Sequence, residues 1–270
     1  MAKWAAAALA LALTAAPAMA EEPANAYPPP GMMDNACPAS REGLWALDPK
    51  VLHNDWAWQC RYRADNAAID PSNPPKVVFI GDSITEGWLG ADPDFFAHGN
   101  IDRGISGQTS PQLLVRFWQD VVALRPQIVH IMVGTNDIAG NSGPTTPVAY
   151  KNAIRAMATL AKANGIAVIL GSIPPADHFT WAPQHKPAPW VAALNLWLKD
   201  YAASEGLVYA DYYGALAGPN GEFPAALAPD GVHPNTAGYA AMRPIAEQAI
   251  ARAEARAEKG CHHGGHHCGK

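Results

Sequence analysis

Ser83 stands in Gly81-Asp82-Ser83-Ile84-Thr85-Glu86, directly after a short apolar run and at the start of a helical pattern. A hydroxyl at such a strand-to-helix turn has beside it the free N–H groups and partial positive charge of a helix N-terminus. A serine nucleophile uses both when its attack builds an oxyanion. The same residues carry the Ser-x-x-Glu spacing of a capping box, so this segment alone leaves the cap and the nucleophile both open. A nucleophilic serine needs a base. His233 follows Asp230 by three residues in Asp230-Gly231-Val232-His233-Pro234. A carboxylate that close can accept the Nδ1 proton, fix the tautomer and leave Nε2 to take the serine proton. A plain turn with an exposed histidine would use the same residues. Three donors could serve the oxyanion: the Ser83 N–H, the N–H of Gly104 in Arg103-Gly104-Ile105-Ser106-Gly107, and the amide of Asn136 in Gly134-Thr135-Asn136-Asp137. Gly104 lets the backbone approach a substrate closely. Taken singly, Gly104 and Asn136 also read as turn or cap residues.

These segments need elements to position them. Val77–Ile80, Ile128–Val133, Ala167–Leu170 and Leu207–Ala210 are short continuous apolar runs ending at Gly or Asp, as expected of strands buried on both faces. Asn100–Arg103 is a further short strand. Helical patterns lie between them at Pro111–Leu124, Pro147–Asn164 and Pro189–Glu205. A last helix follows Pro234, with Tyr239, Met242, Ile245 and Ala249 on one face and Pro244 expected to bend or break it. Leu52–Ile69 is read as an N-terminal helix, ended by Asp70-Pro71-Ser72-Asn73-Pro74-Pro75. Alternating strands and helices predict a parallel sheet covered on both faces, with its site in the crevice beyond the carboxyl ends of the strands. Ser83 and Asn136 fall at such ends.

Four blocks in this order resemble the SGNH or GDSL-type serine esterases and acylhydrolases, with Ile84 where the short family name has Leu. The resemblance spans roughly Asp55 to Ile250. It implies a three-layer, flavodoxin-like α/β/α fold around a five-stranded parallel sheet, and hydrolysis of carboxylic esters without a cofactor. By position it makes Ser83 the nucleophile and a hole donor, Gly104 and Asn136 the other donors, His233 the base and Asp230 its orienting carboxylate. The wording of Gly81–Trp88 and Gly104–Ser110 is similar to the branch of platelet-activating-factor acetylhydrolase-like and bacterial acyl-esterase proteins, which points to short acyl groups.

Substrate contacts are expected from aromatics near the crevice: Trp88, and Phe179, Trp181 and Trp190 of the long Pro174–Trp190 connection. Each is equally suited to the core. The substrate is then a small-molecule or glycan ester, with carbohydrate O-acetylesterase and lysophospholipase or thioesterase activities as alternatives. A silent carbohydrate-binding or metal-handling protein is a competing class, disfavoured by the complete set of site residues. The formal charge of -5 argues against nucleic acid and against a polybasic membrane surface.

Residues 1–20, with Lys3, an apolar Trp4–Ala16 run and Ala18-Met19-Ala20, read as a secretory signal cleaved before Glu21. Export to the periplasm or medium follows, and no other segment is long and apolar enough to span a bilayer. Residues 21–50 form a Pro-rich lead, 51–258 the catalytic domain and 259–270 a tail. Export also favours a Cys37–Cys60 disulfide. In the tail, Cys261, His262, His263, His266, His267 and Cys268 are potential metal ligands, with a Cys261–Cys268 disulfide as the alternative.

Overall fold

The computed structural model describes residues 48–143 and 145–263. Residues 1–47, which hold the expected signal and Cys37, and the tail side chains lie outside the described residues. Elements run in the order α1 (Pro49–Asn54), α2 (Arg63–Ala67), β1 (Val77–Gly81), α3 (Ser83–Ala91), β2 (Asn100–Gly104), α4 (Ser110–Asp120), β3 (Ile128–Met132), α5 (Thr135–Ala139), α6 (Pro147–Ala163), β4 (Ala167–Gly171), α7 (Pro187–Ser204), β5 (Val208–Ala210), α8 (Tyr212–Leu216) and α9 (Thr236–His263).

The five strands form one all-parallel sheet in the order β2-β1-β3-β4-β5. Their apolar runs are buried because alternate residues feed two cores. Val77, Phe79, Ile128, Ile169 and Val208 face one layer, with Trp88 of α3 and Met242, Ala246 and Ala249 of α9. Val78, Ile80, Val129, Ile131, Val168 and Leu170 face the other, with Leu113 and Phe117 of α4, Met157 of α6 and Leu198 of α7. This is the expected three-layer α/β/α fold. Strand order reverses at β1, whose neighbours are β2 and β3. The crevice at that switch point opens beyond the carboxyl ends of β1 and β3, which hand over to α3 and α5.

The structure corrects two expectations about the helices. Leu52–Ile69 is not one helix but α1, a turn and α2. The Asp55 carboxylate accepts from the N–H groups of Gln59 (2.8 Å) and Cys60 (3.1 Å), and Trp58 takes a left-handed φ of +48°. Tertiary packing outweighs helix propensity here: Trp58 and Tyr62 are buried with Val51 and Ile105 beside the β2 loop. Pro244, in contrast, does not break α9, which runs on to His263. Pro244 is exposed, so the carbonyl its ring deprives of a donor can reach water. The helix is held around it by Met242 and Ala246 in the core and by Arg243, which pairs with Asp92, Asp94 and Glu247. The backbone of the first tail residues is therefore helical.

Candidate active site

Ser83 is the first residue of α3. Asp82 is its N-cap, and its Oδ1 accepts from the Ile84 N–H at 3.0 Å. Capping thus falls to Asp82 and leaves the Ser83 hydroxyl unused by its own helix. Glu86 does not close a capping box either. It reaches the β2 loop, where Oε2 accepts from the Ser106 N–H (2.7 Å) and Oγ (2.5 Å). Ser83 Oγ lies 2.9 Å from His233 Nε2. On the far side of the imidazole, Nδ1 lies 2.7 Å from Asp230 Oδ2. The other oxygen, Oδ1, accepts from the N–H groups of Val232 (2.9 Å) and His233 (2.7 Å). Gly231, at φ +77°, makes the tight turn possible. Burial works to raise the Asp230 carboxyl, but the hydrogen bonds from His233 and Val232 outweigh it and hold the group below its ordinary range. Asp230 is thus an ionised acceptor near neutral pH, fixing a proton on Nδ1 and leaving Nε2 to accept from Ser83.

Asn136 lies in the first turn of α5, after Gly134 at φ +145°. A Cβ on Gly134 would come within 2.4 Å of the Ile173 side chain, so the close turn out of β3 requires glycine. The Asn136 side chain is buried. Its Oδ1 accepts from Asn141 Nδ2 at 2.5 Å, while Nδ2 makes no hydrogen bond among the described residues. Nearby Asp82 is fully enclosed. Burial pushes its carboxyl up to about 6, against the Ile84 N–H, His233 and the Asn136 amide. The Asn136 Nδ2 thus lies near the Asp82 carboxyl without a hydrogen bond of normal geometry, and a buried amide donor so placed is costly unless something comes to meet it. As an α3 first-turn donor, the Ser83 N–H also lacks a helical acceptor.

Gly104 departs from expectation. It is placed against α3, so that a Cβ would come within 2.2 Å of the Glu86 backbone nitrogen. Its carbonyl accepts from the Tyr62 hydroxyl at 2.5 Å, tying the N-terminal extension to the site. Its N–H, however, donates to Asp102 Oδ1 at 2.5 Å. A carboxylate two residues upstream closes this local turn readily. The other Asp102 oxygen is buried without a partner among the described residues, and burial pushes the carboxyl up to about 7.

The four aromatics expected at the substrate separate into two pairs. Trp88 and Phe179 are core residues, and the expectation that they contact substrate is corrected. Trp88 has no exposed surface and stacks between Phe95 and Tyr239, with Phe79 edge-on. Phe179 is buried beneath Trp181, with ring centroids 5.0 Å apart. Trp181 is 43% exposed, and its ring centroid lies 6.1 Å from that of His233, so it forms a wall of the crevice. Trp190 is exposed at a neighbouring cavity of about 210 Å³, lined also by Asp137, Ile138, Tyr150, His185 and Leu194 and by neither Ser83 nor His233. Tail ligands His266, His267 and Cys268 lie outside the described residues, as do the side chains of Cys261, His262 and His263. Among the described residues no cluster of three or more His, Cys, Asp or Glu could hold a metal.

Sequence reasoning missed the supporting polar residues. Asp137 accepts from both the N–H (2.9 Å) and Oγ (2.6 Å) of Ser110 and so ties α5 to the start of α4. Asp82, Asp102 and Asn141 likewise show no periodicity or spacing that marks a role, and the spacing of Glu86 from Ser83 marked only a capping box that the structure does not form. Asp82 and Asp137 had the one available signal, adjacency to a proposed site residue within its block.

The α/β/α frame brings a serine and a histidine together at its switch point, and the comparisons with known proteins make the chain an ester-cleaving hydrolase. The chain belongs to the GDSL-like lipase/acylhydrolase family, whose model matches residues 79–241 and so contains all four motif blocks. It is similar to a GDSL-like lipase from Bacteroides thetaiotaomicron VPI-5482, at 43% identity over 73% of this chain and 98% of that one, with a TM-score of 0.69. A protein of Bacteroides fragilis NCTC 9343, provisionally assigned as an acylhydrolase, is 45% identical over the same shares with a TM-score of 0.70. An acetylxylan esterase from Geobacillus stearothermophilus shares the fold at 23% identity over 65% of this chain and 94% of that one, with a TM-score of 0.53. No curated protein matches the chain.

Proposed function

We propose that this protein is an exported carboxylic-ester hydrolase that releases small acyl groups through a Ser83–His233–Asp230 acyl-enzyme mechanism. The observation that carries the reading is the unbroken line from Ser83 Oγ to His233 Nε2 (2.9 Å) and from Nδ1 to Asp230 Oδ2 (2.7 Å). Ser83 Oγ attacks the ester carbonyl carbon as His233 Nε2 takes the hydroxyl proton. Asp230 holds the ring and stabilises the imidazolium. The carbonyl oxygen becomes an oxyanion, met by the Ser83 N–H and the Asn136 amide. Gly104 joins them as a third donor when Asp102 releases its N–H. The C–O bond to the alcohol breaks, the alcohol leaves with the proton from His233, and water repeats the sequence on the acyl-enzyme. The reaction so written needs no cofactor.

The wall formed by Trp181 beside His233 suits a short acyl group or a sugar ring, since an indole packs against either. Hydrolysis of p-nitrophenyl esters from acetyl upward tests the reading. Activity that falls with chain length in the wild type and vanishes in Ser83→Ala is the expected result. Equal activity in the two proteins would remove Ser83 as nucleophile. Acetate release from acetylated glycans, set against the synthetic esters, separates a carbohydrate O-acetylesterase from a lysophospholipase or thioesterase.

A further inference from the structure

We propose that Trp181 and Asn141 are positioning residues that set the polarity of the oxyanion hole. A side-chain amide has an acceptor end and a donor end, and only the donor end can stabilise an oxyanion. Turned by 180°, Asn136 would present Oδ1 and repel the charge it is placed to meet. The Asp82 carboxyl lies toward the donor end of this amide, and a second neighbour fixes the acceptor end.

That neighbour is Asn141. It sits one turn beyond Asn136, brought back by a bond from its own N–H to the Asn136 carbonyl at 3.1 Å. Its Nδ2 donates to Asn136 Oδ1 at 2.5 Å, which directs Asn136 Nδ2 away from it as a buried donor with no partner among the described residues. Asn141 is itself an amide and could be turned the same way. Its orientation is fixed from outside: Trp181 Nε1 donates to Asn141 Oδ1 at 3.0 Å. An indole N–H can only donate. A donor-only group at one end therefore fixes both amides in series, as Trp181 N–H to Asn141 O, then Asn141 N–H to Asn136 O, leaving Asn136 N–H for the substrate. The indole is held in turn by stacking on buried Phe179. Its ring also lies beside His233. One side chain thus borders the base and, through Asn141, orients the hole.

This inference rests on the hydrolase reading, and two readouts separate their failures. The first is the rate of Ser83 phosphorylation by diethyl p-nitrophenyl phosphate, followed by p-nitrophenolate release and by the mass of the adduct. The second is kcat and KM for p-nitrophenyl acetate. Asn141→Ala leaves Asn136 unguided, and kcat should fall by about tenfold to a hundredfold with KM little changed. Asn141→Asp presents only acceptors to Asn136, turns its amide over, and should cost more than Asn141→Ala, close to the loss of about 10² to 10³ expected for Asn136→Ala. Placed in an Asn136→Ala background, Asn141→Asp should cost nothing further. Trp181→Phe keeps a ring over Phe179 but removes the donor, and should lower kcat in the same direction. Thermal melting of each variant confirms that it folds. A merely structural Asn141 would give Asp and Ala replacements of equal effect and losses that persist without Asn136. Either result, with a normal Ser83 adduct in the wild type, would overturn the relay alone. No adduct at Ser83 in the wild type would overturn the hydrolase reading and the relay with it.

Discussion

Asp230→Asn separates orientation of the histidine from the mere presence of a polar neighbour. The carboxylate makes three contacts: Oδ2 to His233 Nδ1 at 2.7 Å, and Oδ1 to the N–H groups of Val232 and His233 at 2.9 and 2.7 Å. All three partners can donate, and an ionised carboxylate satisfies them all. An amide of the same shape cannot. With its oxygen toward the two backbone N–H groups, its NH2 faces Nδ1, and the imidazole must carry its proton on Nε2, the atom that should accept from Ser83. With its oxygen toward Nδ1 the tautomer is right, but NH2 opposes two N–H groups. Leaving two N–H groups opposed by NH2 instead of an acceptor costs about 2–6 kcal/mol. Asp230 is 44% exposed, so water can replace part of this and the lower end applies. A bias of about 2 kcal/mol leaves roughly one molecule in thirty with the productive tautomer, at about 1.4 kcal/mol per tenfold. The variant also lacks the charge that stabilises the imidazolium. The expected fall in kcat for p-nitrophenyl acetate is therefore about 10² to 10⁴-fold, with the fold intact by circular dichroism and melting. A variant within tenfold of the wild type would refute the argument that Asp230 acts by fixing the tautomer.

Two further predictions concern the folded state and the start of the mature chain. Burial pushes Asp102 up to about 7 from an ordinary carboxyl value, so between about pH 4 and 7 the folded protein binds a proton the unfolded chain has lost. Asp102 thus costs stability as pH rises through that window. Asp102→Asn, which can keep the bond from Gly104, should gain on the wild type by up to about 1.4 kcal/mol per pH unit there and level off above it. A difference in melting behaviour that is constant with pH would exclude a raised Asp102. For export, N-terminal sequencing of protein recovered from the periplasm or medium should begin at Glu21, and an intact Met1 on exported protein would contradict the signal reading.

Much of the frame was legible because it rests on repeated, local signals. Four of the five strands are short apolar runs that end where the chain needs a glycine or aspartate, and burial on both faces is what makes such runs apolar throughout. The proposed site residues Ser83 and Asn136 were legible as short blocks just after β1 and β3, and the proposed pair Asp230 and His233 as a three-residue spacing in the loop before α9. What was not legible depended on three-dimensional neighbours. Trp88 lies five residues after Ser83, which suggested a crevice residue, but on α3 it points to the opposite side of the turn, into Phe79, Phe95 and Tyr239. The 52–69 segment has the composition of a helix, yet Trp58 and Tyr62 gain more by packing against Ile105. The occupied N–H of Gly104 depends on an aspartate side chain two residues away, and a turn glycine looks the same in sequence with or without it.

Fixed polarity is a physical property that pattern reading registers only when the two partners lie close in the chain. In the proposed mechanism Asp230 and Trp181 matter because one can only accept and the other can only donate. His233 and Asn136 are ambiguous groups: each can present a donor or an acceptor from nearly the same shape. Catalysis tolerates only one choice at each. Placing a group of fixed polarity beside an ambiguous one settles that choice without moving the backbone. Asp230 does this for the imidazole directly, through a bond of 2.7 Å. Under the proposed relay Trp181 does it for the hole at one remove, through Asn141. The direct pair lies three residues apart and is readable. Trp181 and Asn141 are forty residues apart and meet only because the β4–α7 connection folds over the end of α5.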